Sequence, residues 1–454
     1  MATYNLNTHT TRSAPWGDRV ERIMDAALQA VEPGGAVSRY LQRDGDRLSV
    51  QGQEYDLSQY RRVWIVGAGK ASAPMAEAAV EIVGDDHAGG LVIVKEGHTD
   101  VSQIGKVSIA EAGHPIPDER GVRNTQELMS LLEETREDDL VIGLISGGGS
   151  ALMTAPDQGL TLADVQQLTS ALLACGATIY EINALRKHLD RVKGGGLAEA
   201  AAPAALVTLI LSDVIGDPLD VIASGPTAPD GSTFQDAVDV LDKYEIREEV
   251  PQAIFDHLQR GLQGELPETP KPGDALFSNV QNVIVGSNLQ AAQAALSQAE
   301  AEGFHTLLLT TSLQGEARHA GRFLAAIAQQ IVATGQPLPR PACIVVGGET
   351  TVTLRGDGLG GRNQELVLAA VEDVAGLPDV ALVTLATDGD DGPTDAAGAV
   401  VTGETLSRAR EAGLDPAQFL TNNDSYHFFA PLDDLLRPGP TQTNVNDLAF
   451  VLAF

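Results

Sequence analysis

Short apolar runs that alternate with longer helical patterns constrain this chain more than any other feature of its sequence. In the first half, runs rich in branched residues are typical of buried strands and lie at 62–67, 90–95, 107–110, 140–146 and 205–212. Stretches typical of helices lie at 71–83, 119–134, 161–174 and 180–191. This alternation predicts βαβ units and a mainly parallel sheet. Because the strands are continuously apolar, we expect helices on both faces of the sheet.

The pattern restarts after a stretch rich in proline and glycine at 262–274, which is typical of a linker. Further strands are predicted at 282–286, 306–310, 343–347, 350–354, 380–386 and 443–454, with helices at 287–302, 316–334 and 363–372. Only a tight turn separates 343–347 from 350–354, so we expect these two strands to pair antiparallel. The sequence therefore predicts two α/β domains, 1–270 and 271–454, of which the second has a mixed sheet.

The chain has a formal net charge of −32. This charge repels nucleic acid and anionic membranes, so we expect neither as a partner. We find no signal-peptide pattern and no apolar run of roughly 20 residues that would span a membrane. The two cysteines, Cys175 and Cys343, are typical of free thiols in a reducing compartment. Together these features predict a cytoplasmic protein whose basic residues gather where anionic substrates bind.

Glycine-rich loops follow two of the predicted strands, where open α/β sheets bind their ligands. In the first loop, Gly67 and Gly69 allow backbone amides to approach an anion at a helix N-terminus, and Lys70 follows directly. The loop lacks the Ser/Thr of a Walker A motif and the third glycine of a dinucleotide fingerprint. The second loop, Ser146-Gly147-Gly148-Gly149-Ser150, is a candidate anion cradle of amides and hydroxyls, with a flexible turn as the alternative.

Charged residues beside further loops are candidates for substrate binding. Lys193 precedes another glycine run, while Arg186 and Lys187 either bind a phosphate or carboxylate or face solvent on a helix. Asp213 follows the strand at 205–212 and could bind Mg²⁺, accept a proton from a substrate hydroxyl or cap a helix.

The second half of the chain supplies four more candidates. Glu349 lies in a glycine-rich turn, and Arg362 ends a glycine-rich loop where a helix begins, which suits a bidentate clamp on a carboxylate or phosphate. Asp388 and Asp391 lie in an acidic run that suits a hydrated divalent cation, with a solvated loop as the alternative. His98 and His114 occupy loops without metal spacing, so packing or loop hydrogen bonding is expected for both.

Nine motifs in order carry a family resemblance: GAGKAS, GHPIPD, SGGGSALM, N-x-x-R-K-H-L with K-G-G-G, LSDVIGDPLDVIASGPT, GGETTVTL, GLGGRNQELVLA, ATDGDDGPTDAAGA and TNVNDLAFVLAF. From about residue 18 to the end, the chain resembles the bacterial and archaeal glycerate 2-kinases with a MOFRL C-terminal region. The resemblance implies a Rossmann-like three-layer N-terminal domain, a second α/β domain and a cleft between them. It also implies ATP-dependent phosphorylation of D-glycerate at the 2-hydroxyl with Mg²⁺, with Lys70 and Arg362 as the functional lysine and arginine.

These residues suggest one mechanism and two alternatives. In the kinase, the loop at 146–150 would hold ATP phosphates, Asp388 or Asp391 would hold Mg²⁺, and Lys70 would stabilise the transferred phosphoryl group. The first alternative is an NAD(P)H-dependent hydroxypyruvate reductase, since some relatives carry that name. Lys95 ends the second strand and Glu96 follows, which disfavours NADH. The second is a non-catalytic nucleotide sensor. A homo-oligomer is compatible with either.

Overall fold

The computed structural model describes residues 4–85 and 87–454. The strands are β1 (Leu41–Asp44), β2 (Arg47–Val50), β3 (Gln53–Asp56), β4 (Arg62–Ala68), β5 (Ala88–Lys95), β6 (Gln103–Ile104), β7 (Val107–Ala112), β8 (Asp139–Ile145), β9 (Ala205–Leu211), β10 (Val280–Gly286), β11 (His305–Leu313), β12 (Ala342–Gly348), β13 (Val380–Ala386), β14 (Gly398–Thr402), β15 (Leu435–Leu436) and β16 (Asp447–Ala453). The helices are α1 (His9–Ser13), α2 (Gly17–Ala30), α3 (Pro33–Tyr40), α4 (Ser72–Val83), α5 (Glu119–Leu132), α6 (Gly149–Leu152), α7 (Leu162–Ala174), α8 (Ile179–His188), α9 (Gly196–Ala201), α10 (Phe234–Lys243), α11 (Gln252–Leu262), α12 (Asn288–Ala301), α13 (Ala317–Thr334), α14 (Arg362–Ala370), α15 (Thr405–Glu411), α16 (Pro416–Thr421) and α17 (Ser425–Phe429). Within the described residues, no helix has both the length and the apolar character needed to cross a bilayer.

Two compact units make up the chain. We call Pro33–Val285 the parallel-sheet unit, and Met1–Glu32 together with Gly286–Phe454 the mixed-sheet unit. The α/β class and the predicted pair of sheets, one mainly parallel and one mixed, are confirmed.

The parallel-sheet unit is built on a sheet with the strand order β10–β9–β8–β4–β5–β7–β6. Parallel ladders join β4 to β5 and β8, β5 to β7, and β8 to β9, whereas β6 pairs antiparallel with β7. Because neighbouring parallel strands run the same way, the loops after β4, β8 and β9 leave the sheet at one edge. The predicted candidate loops therefore lie side by side in this unit.

Helices cover both faces of the parallel sheet, as its apolar strands predict. On one face, Leu128 and Leu132 of α5 and Leu197 of α9 join Val66 and Val141 in a buried cluster. Successive side chains of a strand point to opposite faces, so the intervening buried residues of the strands face the other side, where α4 packs against β4, β5 and β8. A separate helical cluster is formed by α7, α8, α10 and α11.

Side-chain caps fix where several of these helices begin. Thr161, Thr178 and Thr233 each form a capping box with an acidic residue three positions later. Such caps satisfy backbone N–H groups that lack a partner inside the helix. The predicted helix at 161–174 therefore begins at residue 162, with Thr161 as its N-cap.

The mixed-sheet unit has the strand order β11–β12–β16–β13–β14–β15. Strand β11 pairs parallel with β12, and the C-terminal strand β16 pairs antiparallel with both β12 and β13. Strand β16 is buried throughout, and Phe450 is among the largest fully buried side chains. The predicted C-terminal strand is thus confirmed, and it occupies the centre of the sheet.

The predicted strand at 350–354 is wrong. This segment forms only an isolated parallel bridge between Thr351 and Glu316, and Leu354 is 77% exposed. The physical reason is that both edges of β12 are already paired, one with β11 and the other with β16. The antiparallel pairs of this sheet therefore join β16 to β12 and β13, and β14 to β13 and β15, rather than 343–347 to 350–354.

The predicted boundary at 270/271 differs from the compact units in two places. The first 32 residues belong with the C-terminal half, where the Trp16 ring stacks on Phe454 at 4.4 Å and Arg22 pairs with Glu302 at 2.6 Å. Strand β10 lies beside β9 in the parallel sheet rather than opening the second sheet. The predicted linker is also tied to the parallel-sheet unit, since the Asp230 N–H donates to the Pro270 carbonyl at 2.8 Å.

The central position of β16 generates a stability prediction. We expect Phe450→Ala to lower the free energy of unfolding by about 3–5 kcal/mol, because it opens a cavity in a packed core. Leu354→Ala should change it by less than about 0.5 kcal/mol, since that side chain is exposed. Denaturant unfolding of both variants measures the difference. Equal losses would mean that 350–354 is packed like a core strand.

Candidate functional site

The loops after β4 and β8 pack directly against each other at the edge of the parallel sheet. The Lys70 N–H donates to the Gly147 carbonyl at 2.9 Å, and the Ala71 N–H donates to Ser146 Oγ at 3.0 Å. Ser146 is buried, so its hydroxyl serves the loop rather than solvent. The structure therefore brings together the two glycine-rich loops predicted from the sequence.

Close loop packing explains the glycines of the first loop. A Cβ at Gly69 would lie 2.0 Å from Ser146 Oγ, which no side chain tolerates. Gly67, at the end of β4, is buried against Leu144 of β8. These glycines allow the strand ends to approach each other, and through that approach they set the position of Lys70.

Lys70 and Lys95 make the surroundings of His98 and His114 positively charged. Lys70 is half-buried, and among residues 4–85 and 87–454 its amine has neither an ion-pair partner nor a hydrogen-bond acceptor. Burial, together with the charges of Lys70, Lys95 and His98, lowers the pKa of His114 to about 4. Burial and the same lysines also lower the pKa of His98. An anion bound here would be attracted by the lysines. Within the described residues, it would not compete with a carboxylate for the Lys70 amine.

The rest of the second loop is held by hydrogen bonds and by one left-handed glycine. Gly148 has φ 84°, and a Cβ there would lie 2.9 Å from the His114 ring. The hydroxyls of Ser150 and Ser224 are 2.8 Å apart, and Ser224 in turn donates to Asn183 Oδ1 at 2.9 Å. Gly149 begins the short helix α6. The N–H groups of Ser146 and Gly149 are also bonded inside the protein, each donating at 3.2 Å, to the Ala68 and Ser146 carbonyls.

A cavity of about 240 Å³ lies beside this loop within the parallel-sheet unit. Its lining comprises His114, Pro115, Pro117, Gly148, Gly149, Ser150, Ala151, Thr154, Val165, Leu168, Thr169, Arg186, Leu189, Asp190, Lys193, Asp213 and Ala223. Asp213, which follows β9, packs against Gly147, where a Cβ would lie 2.3 Å from Asp213 Oδ2. The cavity thus brings the predicted candidates Asp213 and Lys193 to the glycine loop.

Lys193 is already paired inside the protein. Its buried amine lies 2.6 Å from Asp190 Oδ2 and donates to the Met153 carbonyl at 3.1 Å and to Thr154 Oγ1 at 3.4 Å. Burial lowers the pKa of Lys193, and Asp190 opposes that change. A buried charge needs such partners, so the structure gives Lys193 a structural role that the sequence did not reveal.

In the mixed-sheet unit, acidic residues meet at the edge where β12 and β13 end. Because β16 is antiparallel to both, Asp447 at its start lies opposite Gly348 and Ala386. Arg362, the first residue of α14, donates to the two Asp447 oxygens at 2.5 and 3.2 Å and pairs with Glu349 at 2.9 Å. Burial raises the pKa of Glu349, and Arg362 opposes that rise. Glu349 and Arg362, two separate candidates from the sequence, are therefore in direct contact.

Asp391 caps α14. Its buried carboxylate accepts N–H groups from Asn363 at 3.1 Å and from Gln364 at 2.9 Å. A carboxylate held this way does not suit a Mg²⁺ ligand, which directs its oxygens at the ion. Asp388 is half-buried on the loop after β13 and accepts the Asp390 N–H at 3.3 Å. Within 4–85 and 87–454, no group of three or more His, Cys, Asp or Glu side chains could by itself hold a metal ion.

Sequence reasoning missed two residues of these surroundings and left a third undecided. His114 was expected to pack or to form loop hydrogen bonds, yet it lines the cavity beside Gly148. Asp447 was not singled out from the sequence, although it is the first residue of the C-terminal strand. A carboxylate directly before an apolar run is a signal that the sequence shows. Arg186 was left open between ligand binding and solvent exposure, and the structure places it in the cavity wall.

Comparisons with known proteins agree with this architecture. A family model described as a domain of unknown function, DUF4147, matches residues 19–259, and a model of the MOFRL family matches residues 342–447. The first match lies mostly in the parallel-sheet unit and the second in the mixed-sheet unit.

Several relatives cover most of the chain. A glycerate 2-kinase of Pyrococcus horikoshii is 41% identical, covering 95% of this chain and 96% of the relative. A D-glycerate 2-kinase of Thermotoga maritima is 47% identical, covering 85% and 89%. A putative hydroxypyruvate reductase of Agrobacterium vitis is 41% identical, covering 95% and 93%. A crystal structure of a glycerate kinase from Thermotoga maritima superposes with a TM-score of 0.86 at 42% identity, covering 96% of this chain and 99% of that chain.

The buried Asp391 generates a pH-dependent prediction. Burial raises its pKa from 3.8 to about 6, so the folded state binds a proton that the unfolded state releases between those values. The free energy of unfolding of the wild type should therefore fall by roughly 3 kcal/mol relative to that of Asp391→Asn as the pH rises from about 4 to 6. Unfolding midpoints at several pH values measure this difference. Asp390→Asn, on an exposed side chain, is the control and should track the wild type. The prediction would be contradicted if the difference in the free energy of unfolding between the wild type and Asp391→Asn did not change with pH.

Proposed function

Because the chain belongs to the glycerate 2-kinase family with a MOFRL C-terminal region, we propose that it transfers a phosphoryl group from ATP to the 2-hydroxyl of D-glycerate. The products are 2-phospho-D-glycerate and ADP. The observation that carries the proposal is the amine of Lys70, which has no partner within the described residues and lies beside the glycine loop at 146–150. In a chain of net charge −32, a lysine without a carboxylate partner is available for an anionic ligand.

Lys70 is the residue that we assign to the transferred phosphoryl group. Phosphoryl transfer depends chiefly on positioning and on stabilising charge that spreads over the equatorial oxygens. The amine of Lys70 supplies that charge, and the packing of Gly69 on Ser146 sets its position. The neutral His114 beside it can donate a hydrogen bond without adding a competing charge.

Arg362 is the residue that we assign to the glycerate carboxylate or the phosphoryl group. Asp447 accepts from Nε and Nη2, and Glu349 pairs with Nη1, which orients the guanidinium and leaves further Nη N–H groups to bind an anion in a fixed geometry. Asp391 caps the first turn of α14 and so holds the helix end from which Arg362 extends.

Mg²⁺ is part of the proposal through Asp388. Magnesium is commonly held by one or two carboxylates together with substrate phosphates and water. Asp388, on the loop after β13, suits that arrangement because it is half-buried, whereas Asp391 is buried and both of its oxygens accept backbone N–H groups. When bound, the ion neutralises charge on the phosphates of ATP.

The alternative is the NAD(P)H-dependent hydroxypyruvate reductase named among the relatives. The acidic residue after β5, where a dinucleotide fold binds the ribose, is Glu96. Glu96 pairs with Arg120 at 2.8 Å, which reduces its availability for a ribose hydroxyl. This pairing favours the kinase over a reductase.

One assay distinguishes these functions. The enzyme is mixed with ATP, Mg²⁺ and D-glycerate, and enolase is added without a mutase. Only 2-phosphoglycerate then yields phosphoenolpyruvate, so its appearance supports the proposal. Oxidation of NADPH by hydroxypyruvate would instead indicate the reductase. Binding of ATP without ADP release on addition of glycerate would indicate a nucleotide sensor.

Lys70→Ala tests the assignment of the phosphoryl-binding residue. We expect kcat to fall by about 10²- to 10³-fold, because the substitution removes charge stabilisation from the transition state. Lys243→Ala is the matched control, since that lysine is exposed and pairs with Glu181 on the surface. Its kcat should remain that of the wild type. Near-normal turnover by Lys70→Ala would refute the assignment.

Arg362→Lys tests the guanidinium fork. The substitution keeps the charge that Asp447 and Glu349 require, but it removes the planar fork. We expect kcat/KM for D-glycerate to fall by at least about tenfold while the unfolding midpoint stays close to the wild type. Unchanged steady-state kinetics would show that any cation suffices at this position.

A further inference from the structure

The cavity of the parallel-sheet unit contains a charged residue that no part of the proposed mechanism uses. Arg186 lies near the end of α8 and lines the cavity together with Ser150 and Thr154 of the segment after β8. It is only partly exposed to solvent. A cation in a cavity wall raises the question of which group compensates its charge.

The neighbouring basic residues are paired, whereas Arg186 is not. Lys187 lies 3.2 Å from Asp230 and 3.3 Å from Asp220, and Lys193 lies 2.6 Å from Asp190. In the described parts of the chain, the guanidinium of Arg186 has no carboxylate within ion-pair distance and no hydrogen-bond acceptor. Arg186 therefore differs from the cations on either side of it.

Asp190 is close enough to influence Arg186 but is already used. Asp190 Oδ2 binds the Lys193 amine and accepts the Ala155 N–H at 3.1 Å, while Oδ1 accepts the Val192 N–H at 3.0 Å. Burial lowers the pKa of Arg186, and the charge of Asp190 only partly offsets this effect. The positive charge thus remains uncompensated by the protein.

A largely desolvated charge without a protein partner is unfavourable, and a ligand that supplies the partner removes that cost. The guanidinium group presents its donors in a planar fork that matches carboxylate and phosphate oxygens. The same cavity offers the hydroxyl of Ser150 and an apolar wall formed by Val165, Leu168 and Leu189. This lining suits a small ligand with one anionic end.

The cavity wall also contains strained backbone. Ala223 and Ser224 have φ of 50° and 62°, a region that residues other than glycine seldom occupy. The strain is held by the hydrogen bonds of Ser224 to Ser150 and Asn183. Strain of this kind is retained most often at ligand sites, so it supports a binding role for the cavity independently of charge.

We propose that Arg186 binds the carboxylate or phosphate group of a substrate in this cavity. The inference rests on the proposed function for the identity of the substrates, which are D-glycerate and ATP. The shared chemistry is a bidentate oxyanion, and the test separates its two sources.

The experiment compares Arg186→Gln and Arg186→Lys with the matched control Arg191→Gln. Arg191 is an exposed arginine of the following turn, 3.6 Å from Glu133. Steady-state KM and kcat are measured for D-glycerate and for ATP, and calorimetry measures the binding of each ligand alone. Thermal unfolding with and without orthophosphate is recorded for every variant.

We expect Arg186→Gln to raise KM for one substrate by about 10- to 100-fold, the effect of losing a charged hydrogen-bonded pair. A rise for glycerate identifies a carboxylate, and a rise for ATP identifies a phosphate. If both rise, the ligand whose separate binding weakens is the one that Arg186 holds. Arg186→Lys should recover part of the loss, and the unfolding temperature without ligand should not decrease, because no internal partner is lost.

Three results would overturn the inference. The first is Arg186→Gln with both KM values within twofold of the wild type. The second is a lower unfolding temperature with unchanged KM values, which indicates a structural role. The third is equal weakening by Arg191→Gln. A wild type that fails to phosphorylate glycerate contradicts the proposed function. The Arg186 inference is then tested with orthophosphate alone. It is supported if orthophosphate raises the unfolding temperature of Arg186→Gln less than that of the wild type, and it is refuted if the two increases are equal.

Discussion

The parallel pairing of β4 with β8 is the constraint on which the rest of the parallel-sheet site depends. Their ladder runs along the full length of both strands, from Arg62 opposite Asp139 to Ala68 opposite Ile145. Because both strands end at the same level, the loops that follow them meet, and the Lys70 N–H reaches the Gly147 carbonyl. Glycine is needed where these loops touch, so the glycine-rich sequence reflects loop packing as well as any ligand.

Electrostatics distinguishes the residues that serve the fold from those available to a ligand. In this acidic chain, Lys187 and Lys193 are buried beside carboxylates, and their charges are neutralised within the protein. Lys70 and Arg186 lack such partners among the residues that the structure describes. The contrast arises because a buried charge requires compensation, and what the protein does not supply must come from solvent or from a ligand.

The mixed-sheet unit depends on its last strand. Strand β16 lies between β12 and β13, and its first residue, Asp447, comes beside Glu349 and Arg362 because it runs antiparallel to its neighbours. The same placement fills both edges of β12 and leaves 350–354 outside the sheet. The position of β16 between β12 and β13 therefore explains two features. It brings Asp447 to Glu349 and Arg362, and it leaves no free edge of β12 with which 350–354 could pair.

The sequence by itself determined the α/β class, most strands and helices, and the loops that carry Lys70, Ser146, Asp213, Glu349 and Arg362, because hydrophobic period and glycine-rich turns are local signals. Motif order also indicated the family. Only the tertiary structure decided that β10 joins the parallel sheet, that the first helices belong with the C-terminal half, and that 350–354 is not a strand. It also decided that Lys193 and Asp391 have partners inside the protein, whereas Arg186 has none in the described part of the chain. Pairing between distant strands and the compensation of buried charges are non-local, and no window of sequence contains both partners.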